Sequence, residues 1–206
     1  MCVEARCFPV TKYVAALIAL AIASMASSYA SGQSRSWFAD CEPTNTITDN
    51  DSRSFDYIAR SIIVPGYFEQ RSGTRHSANF ILDTGGGRTI IDQSLVKQLS
   101  LKQVGETELV APGGTTKSRL VEINLCVGGT NSGTIVAATQ DLRPYTRAHK
   151  TRIDAILGTD FLKRFTVYID YAKRRVAFTN KSASNNPLIA IVPFQLVLGM
   201  PLVKMT

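Results

Sequence analysis

The sequence contains little of what metal and nucleic-acid binding require. Its 206 residues include four cysteines, two histidines and one tryptophan. No Cys-x-x-Cys pair or His/Cys cluster is present, so we expect neither a metal site nor another cofactor. The 23 Lys and Arg residues outnumber the 16 Asp and Glu residues, giving a formal charge of +7. No basic run is interleaved with stacking aromatics, so we expect a solvated basic face and no nucleic-acid partner.

Only one long apolar run is present, and it lies near the N-terminus, from Val14 to Ala26. Lys12 precedes it, and Ser28 and Ala30 follow with the small-x-small spacing of a cleavage site. Residues 1–30 therefore predict an export signal cleaved after Ala30, and a periplasmic or secreted protein. The alternative is an uncleaved anchor, because small residues extend a run that is otherwise short for a membrane span of about 20 residues. Only that alternative predicts contact with a membrane.

Removal of the signal leaves 21 basic and 15 acidic residues and two cysteines, Cys41 and Cys126. In an oxidising compartment these two cysteines can form one disulfide that ties the early segment to the core. Two free thiols are the alternative.

The rest of the chain divides by composition into three parts. Residues 31–55 form a polar lead-in, residues 56–182 form the domain, and residues 183–206 form a tail. Short β-type runs separated by Gly, Pro and polar turns fill the domain, as in a small β-barrel or sandwich. These runs are Tyr57–Phe68, Ala78–Thr84, Glu106–Val110, Arg119–Gly129, Gly133–Thr139, Phe165–Tyr171 and Arg175–Asn180.

Two short segments indicate helices. Asp92–Leu99 begins with an N-cap aspartate and places two leucines on one face. Gly158–Phe165 offers Thr159 as a cap and three apolar residues for the core. The fold class predicted is therefore all-β with one or two short helices.

The stretch FILDTGGGRTIID, from Phe80 to Asp92, is the strongest candidate for a chemical site. Asp83 ends an apolar strand. A carboxylate there loses hydration, which costs free energy unless neighbouring groups donate hydrogen bonds to it. Thr84 supplies a hydroxyl, and Gly85, Gly86 and Gly87 let the backbone turn tightly and direct amides at the carboxylate. The alternatives are a surface turn or a loop that does not cleave.

Asp83-Thr84-Gly85 after a hydrophobic strand resembles the active-site loop of aspartic proteases. The segment DAILGTDFL, Asp154–Leu162, resembles the element that packs behind this loop in retroviral-type members, where Gly158 allows two backbones to approach closely. Arg164–Phe178 is similar to the closing hairpin of bacterial relatives.

The resemblance covers about Asp56–Lys181. Pro112, Gly113 and Gly114 fall where such proteins carry the flap that closes over a bound peptide. Gly86 departs from the Ala or Ser usual after Asp-Thr-Gly, which bears on the rigidity of the loop.

This resemblance implies a small closed barrel of the retropepsin type and an aspartic endopeptidase. Two carboxylates must share a proton in such a site, and one chain supplies a single Asp-Thr-Gly. The resemblance therefore implies a homodimer that pairs two copies of Asp83, with Thr84 bracing the opposite loop and a peptide or protein as substrate. The alternative function is a non-catalytic peptide-binding module with the same barrel.

The remaining acidic residues and the histidines predict no catalysis. Asp92 is an N-cap, Asp160 lies in a first helical turn and Asp170 lies beside a turn with basic residues. His76 and His149 stand among polar residues without a partner motif, so we expect both to be exposed and inert.

The tail, Asn185–Thr206, begins another β-like stretch. Val192–Thr206 resembles the start of a second copy of the protease domain, without its own Asp-Thr-Gly. Two interpretations remain: a fragment of a tandem enzyme, or an extra strand at the edge of the barrel or across a dimer.

Overall fold

The computed structural model describes residue 41 and residues 52–111, 114–180, 192–197 and 199–204. Its strands are β1 Arg53–Ser54, β2 Asp56–Ile58, β3 Ser61–Glu69, β4 Arg75–Leu82, β5 Ile90–Asp92, β6 Gln103–Ala111, β7 Gly114–Val127, β8 Thr130–Gln140, β9 Ala155–Leu157, β10 Thr166–Asp170, β11 Arg175–Thr179, β12 Phe194–Val197 and β13 Met200–Val203. Its helices are α1 Ser94–Gln98, α2 Arg143–His149 and α3 Thr159–Leu162. The expected signal peptide and most of the polar lead-in lie outside the described residues.

Six strands close into a barrel in the order β3-β4-β9-β5-β8-β7, because β7 also pairs with β3. The β4–β9 and β5–β8 pairs are parallel, and the other pairs in the ring are antiparallel. Strands β2 and β6 extend the sheet beside β3 and β7, and β1, β11 and β10 form a separate sheet. The prediction of an all-β fold with a small closed barrel is confirmed.

Closure of the ring depends on a glycine in β3. A Cβ added to Gly66 would lie 2.2 Å from the Cys126 carbonyl oxygen and 2.9 Å from the Phe80 ring. Gly66 pairs with Ala78 on one side and with Val127 on the other. A side chain at this position would therefore push β3 and β7 apart where the barrel closes.

The core fills the barrel with alternate residues of its strands and one face of α3. Phe68, Phe80, Phe161 and Phe178 are almost completely buried. Phe68 and Phe80 pack edge to face with centroids 5.3 Å apart, and Phe161 and Phe178 do so at 5.6 Å. Such pairs contribute about 0.5–1.5 kcal/mol each beyond the apolar area that they bury. The first pair joins β3 to β4 inside the barrel, and the second joins α3 to β11 of the closing hairpin.

A disulfide joins Cys41 to Cys126 in β7, with Cα atoms 6.0 Å apart. Of the two alternatives for these cysteines, the structure therefore has the bonded one. The pair closes a loop across a sequence separation of 85 residues. It attaches the lead-in covalently to the barrel, where Cys126 is buried.

The helices differ from the sequence predictions in number and length. Helix α2, RPYTRAH, was not predicted, because its short polar sequence has no apolar periodicity; a proline lies in its first turn. Helix α1 spans only Ser94–Gln98, shorter than expected. Thr159 lies inside α3 and makes no side-chain cap, because its hydroxyl bonds elsewhere. None of the helices among the described residues is long and apolar enough to cross a membrane.

Candidate active site

Strand β4 brings Asp83 to the open end of the barrel. The Asp83 amide donates to the Leu157 carbonyl at 3.0 Å, which extends the β4–β9 pairing by one residue. The Gly85 amide donates to Asp83 Oδ1 at 2.8 Å. Asp83 is partly exposed, and Thr84 and Gly85 are exposed, so the carboxylate is less buried than its apolar strand suggested.

The glycines after Asp83 keep space around its carboxylate. A Cβ on Gly85 would lie 3.2 Å from Oδ1, and one on Gly86 would lie 3.1 Å from Oδ2. Oδ2 accepts no hydrogen bond from the residues that the structure describes. One oxygen is therefore fixed by the loop, and the other is available to a water, a ligand or a second carboxylate.

Gly158 lies directly behind this loop. A Cβ on Gly158 would lie 2.6–2.8 Å from three backbone atoms of Arg88, so no side chain fits there. The Thr159 amide donates to the Gly86 carbonyl at 2.8 Å. The sequence predicted a structural glycine behind the loop, and the position of Gly158 agrees with this. The contact holds the loop against α3.

A buried polar bridge reinforces the same contact. Thr89 is completely buried, and its hydroxyl donates to Asp160 Oδ1 at 2.7 Å. The Gly158 amide donates to Thr89 Oγ1 at 3.3 Å, and the Phe161 amide donates to Asp160 Oδ1 at 2.8 Å. Asp160 thus holds the loop and the helix start together, which is the structural role assigned to it.

A cavity of about 420 Å³ opens beside Asp83 and Thr84. Its walls are isoleucine side chains from β3, β4, β9 and β10 together with Tyr145 of α2 and Tyr171. Arg60, Ser61 and Leu82 also line it. Apolar walls with a few polar groups are typical of a binding site for a small molecule or a side chain. Asp83 therefore faces a volume that a ligand can enter.

A second cavity of similar volume, about 430 Å³, lies between β3, β7 and the end of α1. Its charged residues include Glu122, which pairs with Arg71 and Lys102 at 3.2 Å each. Its lining includes no residue of the Asp83 loop. Among the described residues, no group of three or more His, Cys, Asp or Glu could hold a metal ion. The chemistry is therefore concentrated at Asp83.

Comparison with known families matches residues 64–161 to the aspartyl protease family. The match includes both Asp83 and Gly158, the two residues on which the sequence interpretation depends. The suspected relationship to the aspartic proteases is confirmed. Comparison with curated proteins found no match.

Solved structures with a similar fold include two small aspartic protease domains. A retropepsin-like aspartic protease from Rickettsia conorii is 16% identical, with 62% of this chain and 87% of that chain covered and a TM-score of 0.41. The retroviral protease-like domain of Ddi1 from Leishmania major is 14% identical, with 57% and 92% covered and a TM-score of 0.34.

The domain has a long hairpin where the flap was predicted. Strands β6 and β7 pair from Gln103–Val121 to Ala111–Gly114. Pro112 and Gly113 lie outside the described residues. Gly114 has φ +127°, a conformation that side chains disfavour. The prediction that these three residues close over a peptide stays a prediction.

Other acidic residues of the domain make structural hydrogen bonds and ion pairs. Asp92 accepts from the Ser94 amide at 2.9 Å and the Leu142 amide at 2.8 Å, so it joins α1 to α2. Asp154 is buried, accepts from the Asn79 amide at 2.9 Å and pairs with Arg152 at 2.6 Å. Asp170 accepts from the turn amide of Lys173 at 2.8 Å.

The expectation for His149 was wrong. It is buried, with Nδ1 2.8 Å from the Tyr145 carbonyl and Nε2 2.9 Å from Ser61 Oγ. Because a carbonyl can only accept, Nδ1 carries the proton. The ring ties α2 to β3, and no local sequence pattern pairs residues so far apart. His76, by contrast, contacts Arg152 at the surface.

The tail forms a sheet of its own near the Asp loop. Strands β12 and β13 pair only with each other among the described residues. The Thr159 hydroxyl donates to the Gly199 carbonyl, and a Cβ on Gly199 would lie 2.8 Å from Gly87 Cα. The described apolar side chains of this hairpin are largely exposed. The interpretation as the start of a second domain copy stays open.

Proposed function

We propose that this protein is an aspartic-type endopeptidase that works as a homodimer. The observation that carries the proposal is the state of Asp83: one carboxylate oxygen is held by the Gly85 amide, the other accepts no hydrogen bond from the described residues, and the residue lines a cavity of about 420 Å³. A loop built this way orients the carboxylate through one oxygen and leaves the other oxygen available to bind a water or a second carboxylate. The family match over residues 64–161 supports the same chemistry.

In this proposal the two copies of Asp83 face each other and share one proton, because two close carboxylates cannot both ionise. The ionised carboxylate takes a proton from a water, and the water oxygen attacks the scissile carbonyl carbon. The protonated carboxyl gives its proton to the carbonyl oxygen. The carboxyl that took the proton from the water then gives it to the amide nitrogen, and the other carboxylate takes a hydroxyl proton from the tetrahedral intermediate as the C–N bond breaks, which leaves a carboxylic acid and an amine.

The surrounding residues have supporting roles in this scheme. Thr84 is exposed beside Asp83 and braces the loop of the partner subunit. Gly85 and Gly86 leave room for the carboxylate and its mate. The β6–β7 hairpin, with Pro112, Gly113 and Gly114 at its tip, closes over the extended peptide. The Cys41–Cys126 disulfide supports an exported location, because disulfides persist in oxidising compartments.

A peptide library tests the proposal. The mature protein is incubated with mixed peptides from mildly acid to neutral pH, and products are identified by mass spectrometry. Cleavage that Asp83→Asn abolishes without loss of folding supports the enzyme. Binding without cleavage supports the peptide-binding module instead.

Light scattering tests the two-chain site. The active species is expected to be a dimer. A protein that cleaves peptides and stays monomeric at high concentration contradicts the pairing of two Asp83 residues.

A further inference from the structure

The cavity beside Asp83 carries one positive charge. Of its lining residues, only Asp83 and Arg60 are charged at neutral pH; the others are apolar, tyrosine, threonine or serine. The Arg60 side chain has no hydrogen-bond or ion-pair partner among the described residues. An arginine at the edge of a largely apolar cavity is a ready site for a carboxylate.

The backbone at Arg60 is unusual. Ala59 and Arg60 form the two-residue turn between β2 and β3, with φ values of 49° and 66°. Turns of this kind favour Asn or Gly, because side chains crowd the backbone in the left-handed region. A residue held in this conformation beside a candidate active site suggests that its side chain serves a function.

Ser61, the neighbouring lining residue, is less suited to bind an anion. His149 Nδ1 donates to the Tyr145 carbonyl, so in the neutral ring Nε2 accepts the hydrogen of the Ser61 hydroxyl. Ser61 then presents only oxygen lone pairs to the cavity. The guanidinium of Arg60 therefore remains as the cationic donor of this wall.

We infer that Arg60 is a specificity-determining residue that selects substrates with a carboxylate side chain, Glu or Asp, next to the scissile bond. This inference rests on the proposed function, because it takes the peptide to be a substrate that the protein cleaves. The isoleucine walls contact the methylene groups of the side chain, and the Arg60 guanidinium binds its carboxylate. Cleavage occurs beside Asp83, which lines this cavity, so the side chain that enters it is one that flanks the scissile bond.

The test uses short alanine-rich peptides that differ only in carrying Glu or Gln beside a central Phe. We expect kcat/KM to favour the Glu peptide by about tenfold, since bonds between charged groups are roughly twice as strong as neutral ones. Arg60→Gly is expected to reduce this ratio to about one. Ala59→Gly is the matched control, because it relaxes the same turn and keeps the arginine. Both variants are expected to melt at or above the temperature of the parent.

A binding measurement separates this inference from the proposed function. With Asp83→Asn as the background, calorimetry compares the Glu and Gln peptides with and without Arg60→Gly. A preference for Glu that depends on Arg60 supports the inference even if the parent cleaves nothing. Equal binding of both peptides overturns it, as does an equal loss of selectivity in Ala59→Gly. Loss of the dimer in Arg60→Gly also overturns it, because the arginine would then be a subunit contact.

Discussion

Gly158→Ala tests the close approach on which the Asp loop depends. The added Cβ would lie 2.6, 2.7 and 2.8 Å from the carbonyl carbon, carbonyl oxygen and amide nitrogen of Arg88. Contacts below 3.0 Å are essentially never seen for Cβ atoms. Because all three neighbours are backbone atoms, no side-chain rotation relieves the clash. The loop and α3 must separate.

The expected magnitude follows from overpacking. Extra atoms in a well-packed region typically cost about 1–3 kcal/mol. We expect the upper part of this range. Separation of the loop from α3 also stretches the hydrogen bond from the Thr159 amide to the Gly86 carbonyl and the hydrogen bond from the Gly158 amide to the buried Thr89 hydroxyl. For a chain of this length, a loss of about 2–3 kcal/mol lowers the melting temperature by roughly 4–12 °C.

Thermal unfolding followed by circular dichroism measures the effect. Gly105→Ala is the matched control, because its Cβ would meet only Leu120 Cδ1 at 3.7 Å, an ordinary contact. The control is expected to melt within a degree or two of the parent. Equal melting temperatures for Gly158→Ala and Gly105→Ala would refute the reasoning. In the proposed enzyme, Gly158→Ala also lowers kcat, because small displacements of catalytic groups are costly.

Three further outcomes are expected. Thr89→Val keeps the shape of the side chain and removes a buried hydroxyl, so denaturant unfolding should show a loss of about 1–3 kcal/mol; no loss would mean that the bridge to α3 is dispensable. Replacement of both Cys41 and Cys126 by Ala should lower the free energy of unfolding by about 2–4 kcal/mol, and an unchanged value would contradict the stabilising role of the disulfide. Hydrogen bonds from Arg143 lower the pKa of Asp141 to about 2, so its stabilisation of the folded state is complete above pH about 4 and is lost as the pH falls towards 2. Carbon-13 NMR of the Asp141 carboxyl checks this value, and Arg143→Ala should return the pKa towards 3.8.

The sequence predicted the strands well where apolar alternation was long. Tyr57–Phe68 was predicted as one run, but it is divided into β2 and β3 by a turn at Ala59 and Arg60. The division escaped prediction because neither residue is a usual turn former. Strands β5 and β9 have three residues each, too few for a period to be read.

The site was predicted in its parts and not in its arrangement. Asp83 and Gly158 were identified from local motifs. The position of Gly158 directly behind the loop that follows Asp83 agrees with the resemblance. Arg60 and Ser61 of the cavity lining were missed, as was His149, which bonds to Ser61, because these residues take their places only through pairing across 88 residues of sequence or through a strained turn. No local pattern of residue types reports contacts of this range.

By itself, the sequence determined the secondary-structure class, the aspartate loop and the glycine behind it. The alternation of apolar and polar residues, the turn-forming residues and the glycines of a motif are all local properties of the chain. The tertiary structure decided that β7 returns to β3 to close the barrel, that His149 is buried and that Arg60 faces the cavity of Asp83. These outcomes depend on which distant segments pack together. Packing is set by the fit of the whole core, and no segment contains that information alone.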